Sequence, residues 1–331
     1  MEGRIFSHIL VTGGAGYVGA ELVPALLVLG YRVTVLDICL YGMASIGPHP
    51  NLTLVKGDIR NADDLNKAMV HVDCVIHLAC ISNDPSFELD PELGTSINLT
   101  AFEPLVRTAK AANVKRFIYA SSSSVYGVKS EPEVTENLEL EPLTDYSRFK
   151  AIGEKILFDN ASAGFEVVVI RPATVCGYSR RQRLDVVVNI FANLAFNKGE
   201  ITVFGGEQLR PNIHIADMVN SYLTVLIAPG SIVDQKIYNV GGANFTVGEI
   251  AQMAADLCDK PVNIIYQKSN DNRSYHVSSA LIKKELGFET QFTIRDAISD
   301  LYYAFEHGLL TDPISNIQYS NIKTMQHLGF E

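Results

Sequence analysis

The chain has 331 residues, and its content of 47% apolar and 19% charged residues is typical of a globular protein rather than a disordered one. A net charge of −10 disfavours nucleic acid as a partner, because phosphate backbones attract basic surfaces. No run of about 18 uninterrupted apolar residues occurs, so the sequence predicts no membrane-spanning helix.

Strand-like and helix-like segments alternate through the first half of the chain. Strands are predicted at residues 8–12, 32–37, 52–56, 73–79, 115–121 and 166–171, and helices near 17–29, 61–71, 91–113 and 145–163. Apolar strands separated by helices are typical of a parallel sheet that is covered on both faces. The predicted fold class is therefore α/β, with a doubly wound, Rossmann-type parallel sheet in residues 1–172.

Two prolines, Pro24 and Pro104, fall inside predicted helices. Proline removes a backbone hydrogen-bond donor, so each is expected to kink its helix or to shift its boundary. We therefore expect the two helices to differ from straight, uninterrupted helices over residues 17–29 and 91–113.

The alternation loosens after residue 172. A basic loop at 178–183 leads to a helix-like stretch. Short strands follow near 201–204, 212–215 and 237–240, and helices near 216–228, 246–258, 279–286 and 293–307. We interpret residues 173–331 as a smaller, mixed substrate-binding lobe that is partly interleaved with the sheet.

The five cysteines are scattered and form no CxxC pair; they are Cys39, Cys74, Cys80, Cys176 and Cys258. This pattern is typical of reduced thiols in a cytoplasmic protein, which is the predicted location. No grouping of His, Asp, Glu and Cys has the spacing of metal ligands, so no metal is predicted.

A glycine-rich segment at 12–19, TGGAGYVG, joins the first predicted strand to the first helix. Glycines there let the backbone turn tightly and approach a pyrophosphate at the helix N-terminus. Asp37 closes the second strand, where a carboxylate accepts hydrogen bonds from adenosine ribose and repels a 2′-phosphate. NAD is therefore favoured over NADP. The predicted contacts in the glycine segment are Gly13, Gly16, Tyr17, Val18 and Gly19.

Further cofactor candidates follow other strands of the predicted sheet. Ligands of open α/β sheets bind at the carboxyl ends of the strands, so residues at these ends are placed to line the cofactor. They are Asp58 and Ile59 after the third strand, Leu78, Ala79, Cys80 and Ser82 after the fourth, and Pro172 after the sixth.

Tyr146 and Lys150 are spaced i and i+4 on one predicted helix. An unperturbed tyrosine has a pKa of about 10, so we expect the Lys150 ammonium and a positively charged nicotinamide to stabilise the phenolate as a base. Lys150 is also placed to hold the nicotinamide ribose. Serines at 121–124 end the fifth strand, where their hydroxyls can reach a substrate oxygen beside the tyrosine.

Residues 171–210 contain six basic and three acidic side chains, a local positive charge in an acidic chain. Arginine grips a diphosphate with paired hydrogen bonds. Arg183 and Arg210 are the favoured anion-binding residues. Arg180 and Arg181 are explained equally well as a solvated loop.

Together with Asp37, five segments resemble the extended short-chain dehydrogenase/reductases: TGGAGYVG (12–19), GDIRN (57–61), HLAC (77–80), SSSSVYG (121–127) and YSRFK (146–150). The chain is most similar to the NAD-dependent sugar-nucleotide epimerase/dehydratase family of the UDP-galactose 4-epimerase type. The likeness runs in order from about residue 8 to residue 290. It implies an NAD-linked enzyme acting on a nucleoside-diphosphate sugar.

The resemblance also implies roles for individual residues. It assigns proton transfer to Tyr146, supported by Lys150, and a hydrogen bond to the reacting oxygen to Ser122. Acidic residues of the family's 4,6-dehydratases are replaced here by Ser123 and Ser124, which disfavours dehydration. The implied substrate contacts are Ser122, Ser123, Thr174, Arg183, Asn189, Arg210 and Arg273, with Arg210 and Arg273 on the diphosphate and Thr174 in place of a usual asparagine.

The reaction implied by the resemblance is hydride transfer from a sugar carbon, at C4, to NAD and back to the other face, which is epimerisation. The alternatives are a nucleotide-sugar 4-dehydrogenase or 4-ketoreductase with net redox, a reductase of a non-nucleotide ketone, and a non-catalytic NAD-binding regulator. The family likeness further implies a homodimer that packs the Tyr146 helix and the helix before it against their copies.

Overall fold

A computed structural model describes residues 5–43, 45–268 and 276–329. Seven parallel strands form the central sheet, in the order β10-β6-β5-β4-β1-β2-β3, and two smaller sheets have the orders β11-β9-β7 and β12-β8. The strands are β1 His8–Thr12, β2 Arg32–Asp37, β3 Leu52–Lys56, β4 Cys74–His77, β5 Arg116–Ala120, β6 Glu166–Pro172, β7 Thr174–Cys176, β8 Glu200–Phe204, β9 Leu209–His214, β10 Lys236–Val240, β11 Asn244–Thr246 and β12 Asn263–Gln267.

Helices cover both faces of the central sheet and build the second lobe. A π-helical turn at Ser96–Thr100 and 3-10 turns at Ser123–Tyr126 and Ile317–Tyr319 add to them. The α-helices are α1 Gly19–Val28, α2 Ala62–Ala68, α3 Asp84–Leu89, α4 Pro91–Thr95, α5 Phe102–Ala111, α6 Asp145–Asp159, α7 Val187–Lys198, α8 Ile215–Ile227, α9 Gly230–Val233, α10 Val247–Asp256, α11 Ala280–Leu286, α12 Ile294–Glu306 and α13 Asn321–His327.

The predicted α/β fold class is confirmed by the buried strands of the parallel sheet. Ile9 and Val11 of β1 face one hydrophobic core with α1 and α8, while Leu10 faces the other core with α2 and α5. Side chains alternate along a strand, so residues buried on both sides require helices on both faces. Central strands are therefore apolar at successive positions, which is why continuous apolar runs in the sequence predict them.

The register of the sheet brings the strand ends together. Thr12 of β1 pairs with Leu36 of β2 on one side and with His77 of β4 on the other. His77 in turn pairs with Tyr119 of β5. The residues that follow these strands consequently meet at one edge, which is where open α/β sheets bind ligands.

The two prolines act differently. Pro104 lies in the first turn of α5, where a missing N–H costs no bond, and the predicted 91–113 helix is divided into α4, a π turn and α5. Helix α1 instead continues through Pro24 from Gly19 to Val28, so this proline does not end the helix. The carbonyl of Ala20, which Pro24 cannot bond, lies 3.3 Å from Nη1 of Arg180.

The second lobe has its own core between α7, α10 and α12, with Ile201 and Val203 of β8. Its segments also return to the first lobe. β10 pairs with β6 in the central sheet, and Met325 of α13 is fully buried in the core that contains Leu10. The short strands β7, β11 and β12 and the helices α3, α9 and α13 were missed in the sequence.

Candidate active site

The glycine segment forms the turn between β1 and α1 and touches the neighbouring strand ends. Gly13 has a φ of +72°, and a Cβ added to it would lie 2.6 Å from the backbone nitrogen of Ala79. A Cβ on Gly19 would lie 2.5 Å from the carbonyl oxygen of Gly14. The turn therefore accepts no side chain at either position, and it leaves the N-terminus of α1 open to a ligand.

Asp37 ends β2 beside this turn. Its carboxylate accepts hydrogen bonds from the backbone N–H of Ala15 at 2.9 Å and of Cys39 at 2.7 Å. Burial raises the pKa of Asp37, and these two bonds oppose that rise. Because each carboxylate oxygen keeps further acceptor capacity, Asp37 can still receive ribose hydroxyls.

A cavity of about 350 Å³ runs along the carboxyl edge of the sheet. It joins the glycine turn to the catalytic candidates, so one ligand space holds both groups. Its lining includes every cofactor candidate of the sequence, namely Gly13, Gly16, Tyr17, Val18, Gly19, Asp37, Asp58, Ile59, Leu78, Ala79, Cys80, Ser82, Tyr146, Lys150 and Pro172.

Tyr146 and Lys150 lie on the first two turns of α6, which begins with a capping box between Thr144 and Ser147. Nζ of Lys150 donates to the carbonyl of Ala120 at 2.6 Å and lies 5.9 Å from the centre of the Tyr146 ring. Burial raises the pKa of Tyr146 well above its usual value, and a hydrogen bond with Ser122 opposes the rise. The protein groups alone therefore raise the pKa of Tyr146, and the expected lowering depends on the nicotinamide charge that the prediction combined with Lys150.

Ser122 is the N-cap of the 3-10 turn that follows β5. Its Oγ accepts from the backbone N–H of Ser124 at 3.1 Å and shares a 2.8 Å hydrogen bond with the Ser124 hydroxyl. Ser123 is buried, and it also lines the cavity. The local capping fixes the direction of Ser122, which hydrogen-bonds to Tyr146.

Behind the serines lies a buried polar network. Oγ of Ser121 donates to Glu154, and Arg171 grips the same carboxylate with Nε at 2.9 Å and Nη2 at 2.6 Å. Nη1 of Arg171 donates to the Tyr126 hydroxyl, which donates to Asn239 of β10. This network ties α6, β5, β6 and β10 together beneath the catalytic candidates.

The substrate candidates are distributed unequally. Thr174 and Arg183 line the cavity with Ser122 and Ser123. Nε of Arg183 pairs with Asp185 at 2.8 Å, and Nη1 lies 3.2 Å from the Ser82 hydroxyl. Nη2 of Arg183 is buried and has no hydrogen-bond partner within the described ranges.

Two other substrate candidates, Asn189 and Arg210, do not line the cavity. Asn189 braces the loop before α7, because it accepts from the Gly177 N–H and donates to the Arg183 carbonyl. Arg210 lies on β9 in register with Phe245 of β11 and donates to the Leu209 carbonyl. Arg273 lies outside the described residues.

Sequence reasoning missed three residues around the cavity. Arg181, which a solvated loop explained equally well in the sequence, is buried, lines the cavity and stacks over the Tyr41 ring at 3.9 Å. Nη2 of Arg181 donates to Oδ1 of Asn321, which lies 140 positions further along the chain. The density of arginine at 180–183 was a usable signal for Arg181, but no local pattern marks Asn321 or Tyr41.

No helix in the described ranges has both the length and the apolar character needed to cross a membrane. Among residues 5–43, 45–268 and 276–329, no three His, Cys, Asp or Glu side chains come together as a metal site. All five cysteines are free thiols.

Comparisons with known proteins agree with this geometry. The profile of the family described as NAD dependent epimerase/dehydratase matches residues 9–241. The chain is 33% identical over 254 residues, 76% of its length, to the uncharacterized protein y4nG of Sinorhizobium fredii, of which it spans only 60%. It is 32% identical over 250 residues to the uncharacterized UDP-glucose epimerase YtcB of Bacillus subtilis, covering 71% of this chain and 77% of YtcB.

The fold is also similar to solved structures. The structure of MoeE5 in complex with UDP-glucose and NAD superposes with a TM-score of 0.80 and 26% sequence identity. The alignment covers 92% of this chain and all of MoeE5. The likeness therefore extends well beyond the sheet and includes most of the second lobe.

Proposed function

The chain belongs to the NAD-dependent epimerase/dehydratase family, and we propose that it epimerises a nucleoside-diphosphate sugar at C4 through a keto-sugar intermediate. The observation that carries this proposal is the shared cavity. It places Tyr146, hydrogen-bonded to Ser122, in one space with the glycine turn and Asp37. A sugar carbon between Tyr146 and a dinucleotide on that turn would be placed for oxidation and reduction.

The residues present fit NAD. The Cβ-excluding turn at Gly13 and Gly19 gives a diphosphate access to the N-terminus of α1, and Asp37 offers acceptors for ribose hydroxyls. Tyr146 and Lys150 would hold the nicotinamide end. Bound NAD supplies the hydride acceptor and donor and, as a cation in its oxidised form, favours the Tyr146 phenolate.

The protein's own groups divide the proton chemistry. Tyr146 removes the proton of the sugar hydroxyl and returns it after the keto group has been reduced from the other face. Ser122 donates a hydrogen bond to the same oxygen, and Lys150 stabilises the phenolate from its place on the same helix. Because burial keeps the pKa of Tyr146 high, the phenolate forms only when positive charge is next to it.

The substrate class is supported by the cation at the second end of the cavity. Arg183 is buried with an Nη2 that has no partner among the described residues, and Thr174 lies on the same lining. A buried guanidinium donor without a partner is costly, and a phosphate or carboxylate oxygen relieves that cost. MoeE5 binds UDP-glucose in its solved complex, and YtcB is named as a UDP-glucose epimerase.

Ser123 and Ser124 separate epimerisation from dehydration within this family. Both positions hold hydroxyls, and Ser124 is engaged with Ser122. Elimination of water needs an acid and base beside C5 and C6, which serine does not supply at neutral pH. The alternatives can be told apart by what they produce. Net oxidation or ketoreduction changes the mass of the sugar nucleotide, a ketone reductase converts a free ketone instead, and a regulator converts nothing.

The test is turnover with a panel of UDP-, GDP- and dTDP-sugars in the presence of NAD. Epimerisation gives a product of unchanged mass with a new C4 configuration in the NMR spectrum and no net NADH. Loss of two hydrogens with NADH accumulation would instead establish a dehydrogenase, and loss of water a dehydratase. Tyr146→Phe should lower kcat by a factor of about 10²–10⁴, whereas Tyr303→Phe at an exposed position should not. Full activity of Tyr146→Phe would refute the mechanism.

The homodimer remains part of the proposal. Ile152 of α6 is 43% exposed, but Leu105 and Val106 of α5 and Leu157 of α6 are buried in the chain's own core. A shared α5–α6 interface would therefore use Ile152 and the polar rim rather than those core residues. Light scattering of the parent chain and of Ile152→Glu tests it, because a charge at a buried dimer interface should yield monomers.

A further inference from the structure

The loop at 177–185 lies directly over the N-terminus of α1. Oγ of Ser179 donates to the carbonyl of Tyr17 at 2.8 Å, and the backbone N–H of Arg180 donates to Glu21 at 2.8 Å. The second lobe thus reaches across the end of the helix at which a dinucleotide diphosphate would lie. The side chain that the loop carries into this place is Arg181.

Arg181 is held there without a carboxylate partner in the described ranges. It is only 6% exposed, its Nη2 donates to Asn321 at 2.6 Å, and its guanidinium stacks on Tyr41 at 3.9 Å. Nε is buried and has no hydrogen-bond partner among the described residues. Burial and the neighbouring charge of Arg183 lower the pKa of Arg181 to about 10. Keeping this cation desolvated and incompletely hydrogen-bonded therefore lowers the stability of the fold.

The brace that holds Arg181 comes from the end of the chain. Nδ2 of Asn321 donates to Ser82 at 3.0 Å, and its backbone N–H donates to Asp185 at 2.7 Å. Helix α13 is anchored by Met325, which is fully buried in the core of the first lobe. Asn321 and α13 lie outside residues 9–241, the part that matches the family profile. The brace is thus supplied by a segment of this chain beyond the residues that the profile matches.

We propose that Arg181, positioned by Asn321 of the C-terminal helix, binds the diphosphate of the dinucleotide. The inference rests on the proposed function in that it takes NAD as the cofactor. Its neighbours locate it at the adenosine half of the cavity, because its guanidinium stacks on Tyr41, which follows β2, and is acted on by the charge of Asp37, which ends β2. Arg183 also acts on Tyr17 and Tyr41, but in addition it acts on Tyr146, and its Nη1 lies 3.2 Å from the Ser82 hydroxyl, which places it nearer to the sugar. The two arginines then serve two different diphosphates.

The experiment measures binding to the full-length chain by calorimetry, with Arg181→Met beside Arg180→Met as the matched control. Arg180 is adjacent in sequence, but its side chain is half exposed and pairs with Glu21 outside the cavity. Arg181→Met should weaken NAD and ADP-ribose by roughly 10- to 100-fold, the effect of losing a charge-assisted hydrogen bond. Adenosine and UDP should bind as they do to the parent chain. Arg180→Met should bind all four ligands unchanged.

Other outcomes overturn the assignment. NAD affinity equal to the parent would remove Arg181 from the site. Loss of UDP affinity alone would transfer it to the sugar nucleotide, and equal loss of adenosine would show that the diphosphate is not what it contacts. These readouts need no turnover, so a chain that binds NAD through Arg181 but converts no sugar nucleotide would refute the proposed function and leave this inference standing.

Asn321 gives a second, independent pair of variants should Arg181→Met fold poorly. Asn321→Asp places a carboxylate against Nη2 and competes with the diphosphate, whereas Asn321→Ala removes only the brace. We expect NAD affinity to fall by roughly tenfold in Asn321→Asp and by roughly threefold in Asn321→Ala. Raising the salt concentration should reduce the difference between parent and Asn321→Asp, since the competition is electrostatic. Parent-like affinity in both variants would overturn the role of the C-terminal helix.

Discussion

Two buried polar clusters on either side of the cavity differ in how completely their charges are paired. The closed cluster comprises Ser121, Tyr126, Glu154, Arg171 and Asn239. The open cluster comprises Arg181, Arg183, Asp185 and Asn321. The ion pair of Glu154 and Arg171 is bidentate, with side chains 4% and 3% exposed. In the open cluster only Arg183 pairs with a carboxylate, that of Asp185, and each of the two arginines keeps a buried nitrogen without a partner in the described ranges.

The difference separates scaffold from binding site. A buried polar network that satisfies all its members holds neighbouring elements in one geometry. A network that leaves donors unpaired carries a cost that a ligand can relieve. The closed cluster ties α6 to β6 and β10 beneath the candidate catalytic residues, while Arg181 and Arg183 of the open cluster line the cavity. Arginine therefore has different roles in the two clusters: it holds the scaffold in the closed cluster and offers unpaired donors to a ligand in the open cluster.

The largest effect is expected from breaking the closed cluster. Glu154→Gln leaves the buried guanidinium of Arg171 without its counter-charge, and we expect unfolding free energy to fall by about 3–5 kcal/mol. Chemical denaturation at neutral pH measures this loss. Replacing the pair together by Glu154→Gln and Arg171→Met should recover part of the stability, because no unpaired charge remains. If Glu154→Gln alone were as stable as the parent, the charge of Glu154 would not be needed to stabilise buried Arg171.

The pH dependence of stability gives a second test of a buried polar group, His77, which lies on β4 next to the β5 strand of this cluster. Its Nδ1 shares a 2.7 Å hydrogen bond with Thr12, and burial lowers its pKa from 6.5 to about 3. The folded state then binds fewer protons than the unfolded state, so stability is complete above pH 6.5 and is lost as pH falls toward 3. The expected slope is about 1.4 kcal/mol per pH unit in that window.

His77→Gln is the variant that isolates this slope. Glutamine keeps a hydrogen-bond acceptor for Thr12 but does not titrate, so stability should be less steep between pH 6.5 and 4 than in the parent. The exposed His49→Gln is the control and should keep the parent slope. An unchanged slope in His77→Gln would mean that acid unfolding begins at other groups.

Sequence reasoning was strongest where function is encoded locally. The glycine turn and Asp37 are specified by residues next to one another or at successive strand ends, and parallel strands bring such ends together automatically. Tyr146 and Lys150 are related by the period of a single helix. Thus the central sheet and the residues lining the cofactor side of the cavity could be predicted before any coordinates.

The second lobe resisted prediction because its contacts join distant segments. Arg181 is buried only since Asn321 and Tyr41 close over it from 140 positions downstream and from 140 positions upstream. Neither residue belongs to a sequence motif, so the sequence could not show whether the arginines of the basic loop are buried or solvated. Asn189 shows the reverse case, since a polar residue near the arginine run turned out to brace the loop through Gly177.

The open cluster should respond to truncation in the opposite way from the closed one. Arg181→Met removes a desolvated cation that is repelled by Arg183, and this gain offsets the lost bond to Asn321. We therefore expect its unfolding free energy to stay within about 1 kcal/mol of the parent in the absence of added ligand. Thermal unfolding with and without NAD measures both terms, and NAD should stabilise the variant less than the parent. A loss of stability as large as that of Glu154→Gln would erase the distinction between the clusters.

The smallest effect is expected from the arginine that belongs to neither cluster. Arg180 is next to Arg181, yet it is half exposed, pairs with Glu21 at 3.1 Å and only touches the Ala20 carbonyl that Pro24 leaves unbonded. A solvent-screened pair of this kind contributes about 0.5 kcal/mol, so Arg180→Ala should change the melting temperature by little and NAD affinity not at all. If Arg180→Ala instead weakened NAD as strongly as Arg181→Met, the cause would be the charge of the whole loop. Burial of one guanidinium would then no longer distinguish the two neighbours.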